Sequence, residues 1–165
     1  MLDCIAARKN DVRDTALSYM QNEIKREVVI KEASKEAVYE AIANPEKVIS
    51  WFPDAVEGNY AVGERPLLVF KGHGKAQIFV VEAKPHEYFS YRWIPGGSDF
   101  VGDVLTVPNT LVEFNIQEKD GACTVVVTES GFSKLPKDMA EKAFEQNSEG
   151  WEYMLGRLEK IFQQK

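Results

Sequence analysis

Few residues in this sequence have the type and spacing that bond-making chemistry needs. The two histidines, His73 and His86, fall in an expected turn and just before an expected strand. Neither has a cysteine or a second histidine at metal-ligand spacing. The sequence has no Gly-x-Ser-x-Gly elbow, phosphate-binding loop or dinucleotide fingerprint. Gly72-His73-Gly74 is too short to cradle a phosphate. Glu82 and Glu129 are the carboxylates to which acid–base work would fall, but nothing in the sequence brings them together. Catalysis therefore ranks below binding, and no cofactor or metal is expected.

Ring surface is what the sequence supplies instead. The stretch "YFSYRWIPGG", residues 88–97, holds four aromatics in six residues and ends at a Pro-Gly-Gly break. Read as a strand, it puts Phe89, Tyr91 and Trp93 on one face and Tyr88, Ser90 and Arg92 on the other. Val112, Phe114 and Ile116 share a face of the next strand, and Cys123, Val125, Val127 and Glu129 a face of the last. Two readings follow. The rings fill an ordinary core, as large aromatics do, or they line a cavity that takes a ligand. Glu129 is then a polar anchor at the cavity mouth, or an exposed or salt-bridged residue at a strand end; the second is the simpler expectation. Cys123 reads as a small buried hydrophobe and Arg92 as a solvated sheet residue.

These faces need elements to hold them. A first strand, "EIKREVVIK", precedes two short helices. Ser34 caps "KEAVYEAIA", and Asn44 with Pro45 opens "NPEKVISWF", which Pro53 ends. Trp51 is expected to close one end of the core and Phe52 to line an entrance. From about Val56 to Phe132 the period is two, giving six candidate strands broken at Gly63, Gly72-His73-Gly74, Lys84-Pro85, Pro95-Gly96-Gly97 and Asp120-Gly121. Strands in sequence order form an antiparallel meander. The loop "PGGSDFVGDVLTVPN" is long for a hairpin, so Phe100 and Val101 are either a lid over the cavity mouth or a loop with no role. A final helix from about Pro136 to Phe162 carries Ala140, Phe144, Asn147, Trp151, Met154, Leu155, Leu158, Ile161 and Phe162 at steps of mostly three and four. One helix covers such a sheet only if the sheet curls around it, and a curled sheet gripping a helix leaves space between them.

Composition bounds the partners. The 165 residues suit one domain, and 20 basic against 26 acidic side chains leave a net charge of −6, which argues against a nucleic-acid footprint. No apolar run approaches the roughly 20 residues of a membrane helix, so membrane insertion is not expected. The N-terminus lacks a signal-peptide core, and two cysteines, Cys4 and Cys123, make no disulfide framework. A cytoplasmic protein, monomer or homodimer, is expected. Residues 1–22 read as an N-terminal extension, a tail or peripheral helix, and 23–165 as a single domain.

The phrases "IKREVVIKEASKEAVYEAIANPEKVISWF", "VVEAKPHEYFSYRW", "LVEFNIQEKDGACTVVVTESGF" and "GWEYMLGRLEKI", in this order over residues 24–162, resemble the START-like (SRPBCC) superfamily. More narrowly they are similar to the homologues of the activator of the heat-shock chaperone ATPase. The resemblance implies an α+β helix-grip fold, a curved antiparallel sheet of six to seven strands around a long C-terminal helix. It also implies a cavity between sheet and helix for a small apolar or aromatic ligand such as a lipid, polyketide or flavonoid-like ring. The residues that would line it are Phe52, Phe89, Tyr91, Trp93, Phe100, Val112, Phe114, Val127, Glu129, Phe144, Trp151 and Met154. Two alternatives remain: a module acting on a chaperone ATPase, and a cyclase- or dehydratase-type enzyme. Eukaryotic chaperone activators carry an additional domain not seen in this sequence.

Overall fold

The computed structural model describes residues 22–96 and 99–163. The chain runs β1 (Glu23–Ile30), α1 (Lys35–Ala43), α2 (Pro45–Val48), β2 (Ala55–Glu57), β3 (Leu67–Phe70), β4 (Gly74–Lys84), β5 (Tyr88–Trp93), β6 (Thr110–Lys119), β7 (Ala122–Ser130) and α3 (Lys137–Gln163). Short 3-10 turns lie at Val104–Thr106 and Phe132–Lys134. This is the α+β helix-grip fold that the sequence led us to expect.

Local chemistry sets the boundaries. Ser34 Oγ accepts from the Ala37 N–H at 3.2 Å and starts α1. Asn44 then serves twice: its N–H closes α1 on the Glu40 carbonyl, and its Oδ1 accepts from the Glu46 N–H at 2.9 Å to open α2. That second helix is shorter than the sequence suggests, one turn of four residues. β2 is also short, because Gly58 and Gly63 take left-handed φ values of 96° and 84°, and Tyr60 between them turns inward to donate to the Ile42 carbonyl at 3.0 Å. Between β6 and β7, Asp120 and Gly121 both have positive φ, the backbone of a tight hairpin turn matched to strand twist.

The seven strands lie in the order β1-β7-β6-β5-β4-β3-β2. Six follow the chain, and β1 closes onto the free side of β7. Register brings the inner residues into rows: Tyr91 lies opposite Val112, Val112 opposite Glu129, and Glu129 opposite Ile24. α3 covers this face with Ala143, Trp151, Leu155 and Leu158. The core beneath it is continuous through Ile24, Ile78, Val80, Phe89, Tyr91, Val112, Phe114, Val125 and Val127. Each such side chain contributes about 1.5–3 kcal/mol on burial.

Residues 1–21, nearly the whole expected extension, lie outside the described residues. Asn22 is tied to the domain, its Oδ1 accepting from Ser133 Oγ at 2.6 Å and from the Ser133 N–H at 3.1 Å. The 95–109 loop is open to two readings from the sequence, a lid or a loop with no role. Gly97 and Ser98 lie outside the described residues, but its second half folds onto the sheet face away from α3. There Val104 is buried, the Gly102 N–H donates to Gln77 at 3.1 Å, and Asp103 meets Arg65 at 3.2 Å. Val104 finds apolar cover there, and Gln77 and Arg65 hold the backbone down. No described helix is long and apolar enough to cross a membrane.

Candidate functional site: an aromatic pocket over a buried carboxylate

The inner end of β5 and the middle of α3 meet at two indoles. Trp93 and Trp151 have ring centroids 5.8 Å apart. Phe52, delivered by the turn after α2, stacks on Trp151 at 5.4 Å and lies 6.1 Å from Trp93. Phe70 of β3 sets its edge against Phe52 at 5.4 Å. With Met154, Gly150 and Asn147 of α3, these four rings line a pocket of about 140 Å³.

Glu129 lies behind the two indoles. It is fully buried and accepts from four side chains. Trp151 Nε1 donates to Oε1 at 2.8 Å and Asn147 Nδ2 to the same oxygen at 2.9 Å. Trp93 Nε1 donates to Oε2 at 2.9 Å and Thr110 Oγ1 at 2.6 Å. Indole N–H and amide NH₂ groups can only donate, so both oxygens act as acceptors. Burying a polar group is costly unless it is hydrogen-bonded, and here the bonds come from β5, β6 and α3 together. This corrects the simpler expectation for Glu129: it is buried, and among the described residues it forms no salt bridge. The apolar row Cys123, Val125, Val127 continues inward, so the fourth residue of the row has no route to solvent.

The remaining sequence candidates separate into groups. Phe52, Trp93, Trp151 and Met154 border the pocket. Phe89, Tyr91, Val112, Phe114 and Val127 are buried in the core, where Tyr91 packs against Trp93 at 5.4 Å and Phe114 at 6.2 Å. Phe144 lies edge-on to Phe132 at 5.3 Å. Phe100 is half-buried near Gly102 and is not on the pocket wall. Trp51 is buried and donates to the Ala41 carbonyl at 2.7 Å.

Phe70, Gly150, Asn147 and Thr110 were missed as site residues. Asn147 left a signal, being a polar residue inside an apolar helical stripe. Thr110, Phe70 and Gly150 left none.

Burial pushes the Tyr91 phenol well above its ordinary value, with Tyr60 and Glu129 adding to the effect. The Tyr91 hydroxyl has no hydrogen-bond partner among the described residues. Glu82 is half-exposed, 3.5 Å from Lys84, so Glu82 and Glu129 have separate partners. His73 is exposed, and His86 stacks on Tyr39 at 5.7 Å. Among the described residues no three His, Cys, Asp or Glu side chains converge as metal ligands. The arrangement offers a shaped apolar surface with a buried carboxyl group behind it.

Residues 32–163 match the family described as "Activator of Hsp90 ATPase homolog 1-like protein". The chain belongs to that family. No curated protein matches it. Among solved structures, DynU16, a protein in the dynemicin biosynthetic locus, is 22% identical with a TM-score of 0.69. The match covers 87% of this chain and 48% of DynU16, so the chain spans about half of that protein's length. Protein MLL2253 from Mesorhizobium loti is 20% identical over 85% of this chain and 98% of that one, with a TM-score of 0.66. The Aha1 dimer from Colwellia psychrerythraea is 18% identical over 85% of this chain and 95% of that one, also at 0.66. At these identities the likeness is one of fold, and the helix-grip architecture of the family is shared throughout.

Proposed function

We propose that the protein binds a small ligand by one apolar or aromatic group, in the pocket between β5 and α3, without transforming it. The observation that carries this reading is the pocket of about 140 Å³ walled by Phe52, Phe70, Trp93, Trp151 and Met154. An apolar cavity of about 150 Å³ is known to take benzene, so one ring, or one branched alkyl group, is the size expected. Phe89, Tyr91 and Phe114 are buried in the core and do not border this pocket. The four donors around Glu129 leave its lone pairs committed, which supports binding over acid–base catalysis.

Gly150 gives the test. Gly150 borders the pocket and a Cβ added there meets nothing within 4 Å, so Gly150→Leu is expected to extend bulk from the pocket wall without displacing backbone. Toluene and benzyl alcohol should raise the melting temperature of the wild-type protein, since a ligand that binds only the native state stabilises it. They should leave Gly150→Leu unmoved. Equal shifts in both proteins, or none in either, would overturn the reading. The family description supports a second reading, a module acting on a chaperone ATPase. Stimulated ATP turnover by a purified chaperone, unaffected by Gly150→Leu, would favour it.

A further inference from the structure

We propose that the group held beside Phe52, Trp93 and Trp151 is a quaternary ammonium, the trimethylammonium head of a choline-like molecule. This rests on the pocket reading above and narrows it to one ligand class. Glu129 is a buried acidic side chain whose hydrogen-bond partners, Trp93, Thr110, Asn147 and Trp151, are all neutral. The salt bridges among the described residues are Lys47–Glu40, Arg65–Asp103, Lys75–Glu57 and Lys84–Glu82, and none reaches it. The described residues thus place a carboxyl group behind an aromatic pocket and bring no cationic side chain to it.

The two indoles connect charge and pocket. Each gives its N–H to the carboxylate and borders the pocket with its ring. Donation to an anion raises electron density in the ring, and an electron-rich ring attracts a cation more strongly. Methylation decides which cation. A primary ammonium carries three N–H donors and needs acceptors for them. Asn147 is the one polar side chain on the wall, and its NH₂ group is turned to Glu129. A trimethylammonium head needs no hydrogen bonds, presents methyl groups to the rings, and has about the bulk of a tert-butyl group.

Choline and 3,3-dimethylbutan-1-ol have the same shape and differ in charge. Titration of each into the ¹⁵N-labelled wild-type protein, followed at the indole N–H resonances of Trp93 and Trp151, separates the two terms. Choline should bind about tenfold more tightly than the alcohol, within the range cation–π attraction supplies, and more tightly than ethanolamine. In Glu129→Gln the preference for choline should fall to near unity. Equal affinity for choline and the alcohol in the wild-type protein would overturn the ammonium proposal while leaving the pocket reading standing. Failure of toluene, choline and the alcohol alike would overturn both. The wild-type comparison decides the matter even where Glu129→Gln does not fold. Dihexanoylphosphatidylcholine below its micelle concentration distinguishes sources: response to it as well as to choline assigns a lipid headgroup, and response to choline alone a free small molecule.

Discussion

Trp93 and Trp151 come from opposite layers of the fold, one from the sheet and one from the helix, and donate to opposite oxygens of the same carboxylate at 2.9 and 2.8 Å. Glu129 therefore fixes both the distance between the indoles and their orientation, and through them the shape of the pocket. The carboxylate makes the helix–sheet junction depend on polar bonds as well as on apolar burial.

That dependence predicts a large cost for a small change. Glu129→Gln replaces one acceptor oxygen by an NH₂ group that faces donors, so at least one indole N–H is left buried without a partner. Removing one member of a buried charged network costs roughly 2–4 kcal/mol. Urea unfolding should show a fall of that size with little change in slope. A loss below about 1 kcal/mol would mean that the four hydrogen bonds contribute little.

Gly150 sits within α3, where glycine costs about 1 kcal/mol relative to alanine. An added Cβ has free space there. Gly150→Ala should therefore raise stability by about 0.5–1 kcal/mol while leaving most of the pocket open, a gain readable as a higher melting temperature. Destabilisation would show that the helix is bent or packed more tightly at this point.

Alkaline stability follows from the tyrosines. Burial raises the phenols of Tyr60 and Tyr91 above their ordinary value of 10.0, and that of Tyr88 to about 12. A group whose folded pKa exceeds its unfolded one stabilises the fold below the unfolded value and loses that contribution as pH rises. Stability should hold to about pH 10 and then decline. Absorbance near 295 nm should show the fully buried phenols of Tyr60 and Tyr91 ionising only together with unfolding. A full tyrosine titration in the native state at pH 10 would contradict this.

At the acid end, the Arg65 side chain and the Leu105 N–H hold the Asp103 carboxyl below its usual 3.8. The sign is the reverse: the contribution is present at neutral pH and lost as pH falls through the folded value. Carbon-detected NMR should place its midpoint below that of Asp103 in Arg65→Ala.

Cys123 is buried with its Sγ 3.1 Å from the Ala33 carbonyl, and burial pushes its thiol up, with Glu118 and Glu36 adding to it. A protonated, enclosed thiol is a poor nucleophile. Peptide-resolved labelling with iodoacetamide should modify Cys123 at least about a hundredfold more slowly in the native protein than in urea.

Much of this could be read in the sequence because the signals were local and periodic. The alternation of Phe89, Tyr91 and Trp93, the Asp120-Gly121 turn and the stripe around Trp151 each specify a face or a turn within a few residues. The strands in chain order gave the meander. The carboxylate network could not be read that way. Its members come from β5, β6, β7 and α3, and a glutamate at the end of an apolar strand looks locally like any solvated terminus. The loop after β5 stays open to two readings in the sequence for a related reason: Phe100 and Val101 allow a lid or no role, and contacts of Val104, Gln77 and Arg65, far apart in sequence, set which face its second half covers. Pocket volume depends on how side chains from several elements pack, and no sequence period encodes it.

Indole N–H spectroscopy of the ¹⁵N-labelled protein titrated with toluene addresses the site at the level of single residues. The chain has three tryptophans, and Trp51, bonded to the Ala41 carbonyl and absent from the pocket wall, is an internal reference. Binding between β5 and α3 predicts saturable shifts of the Trp93 and Trp151 resonances with Trp51 little moved. No shift at saturating ligand, or equal movement of all three, would contradict a binding pocket at this place.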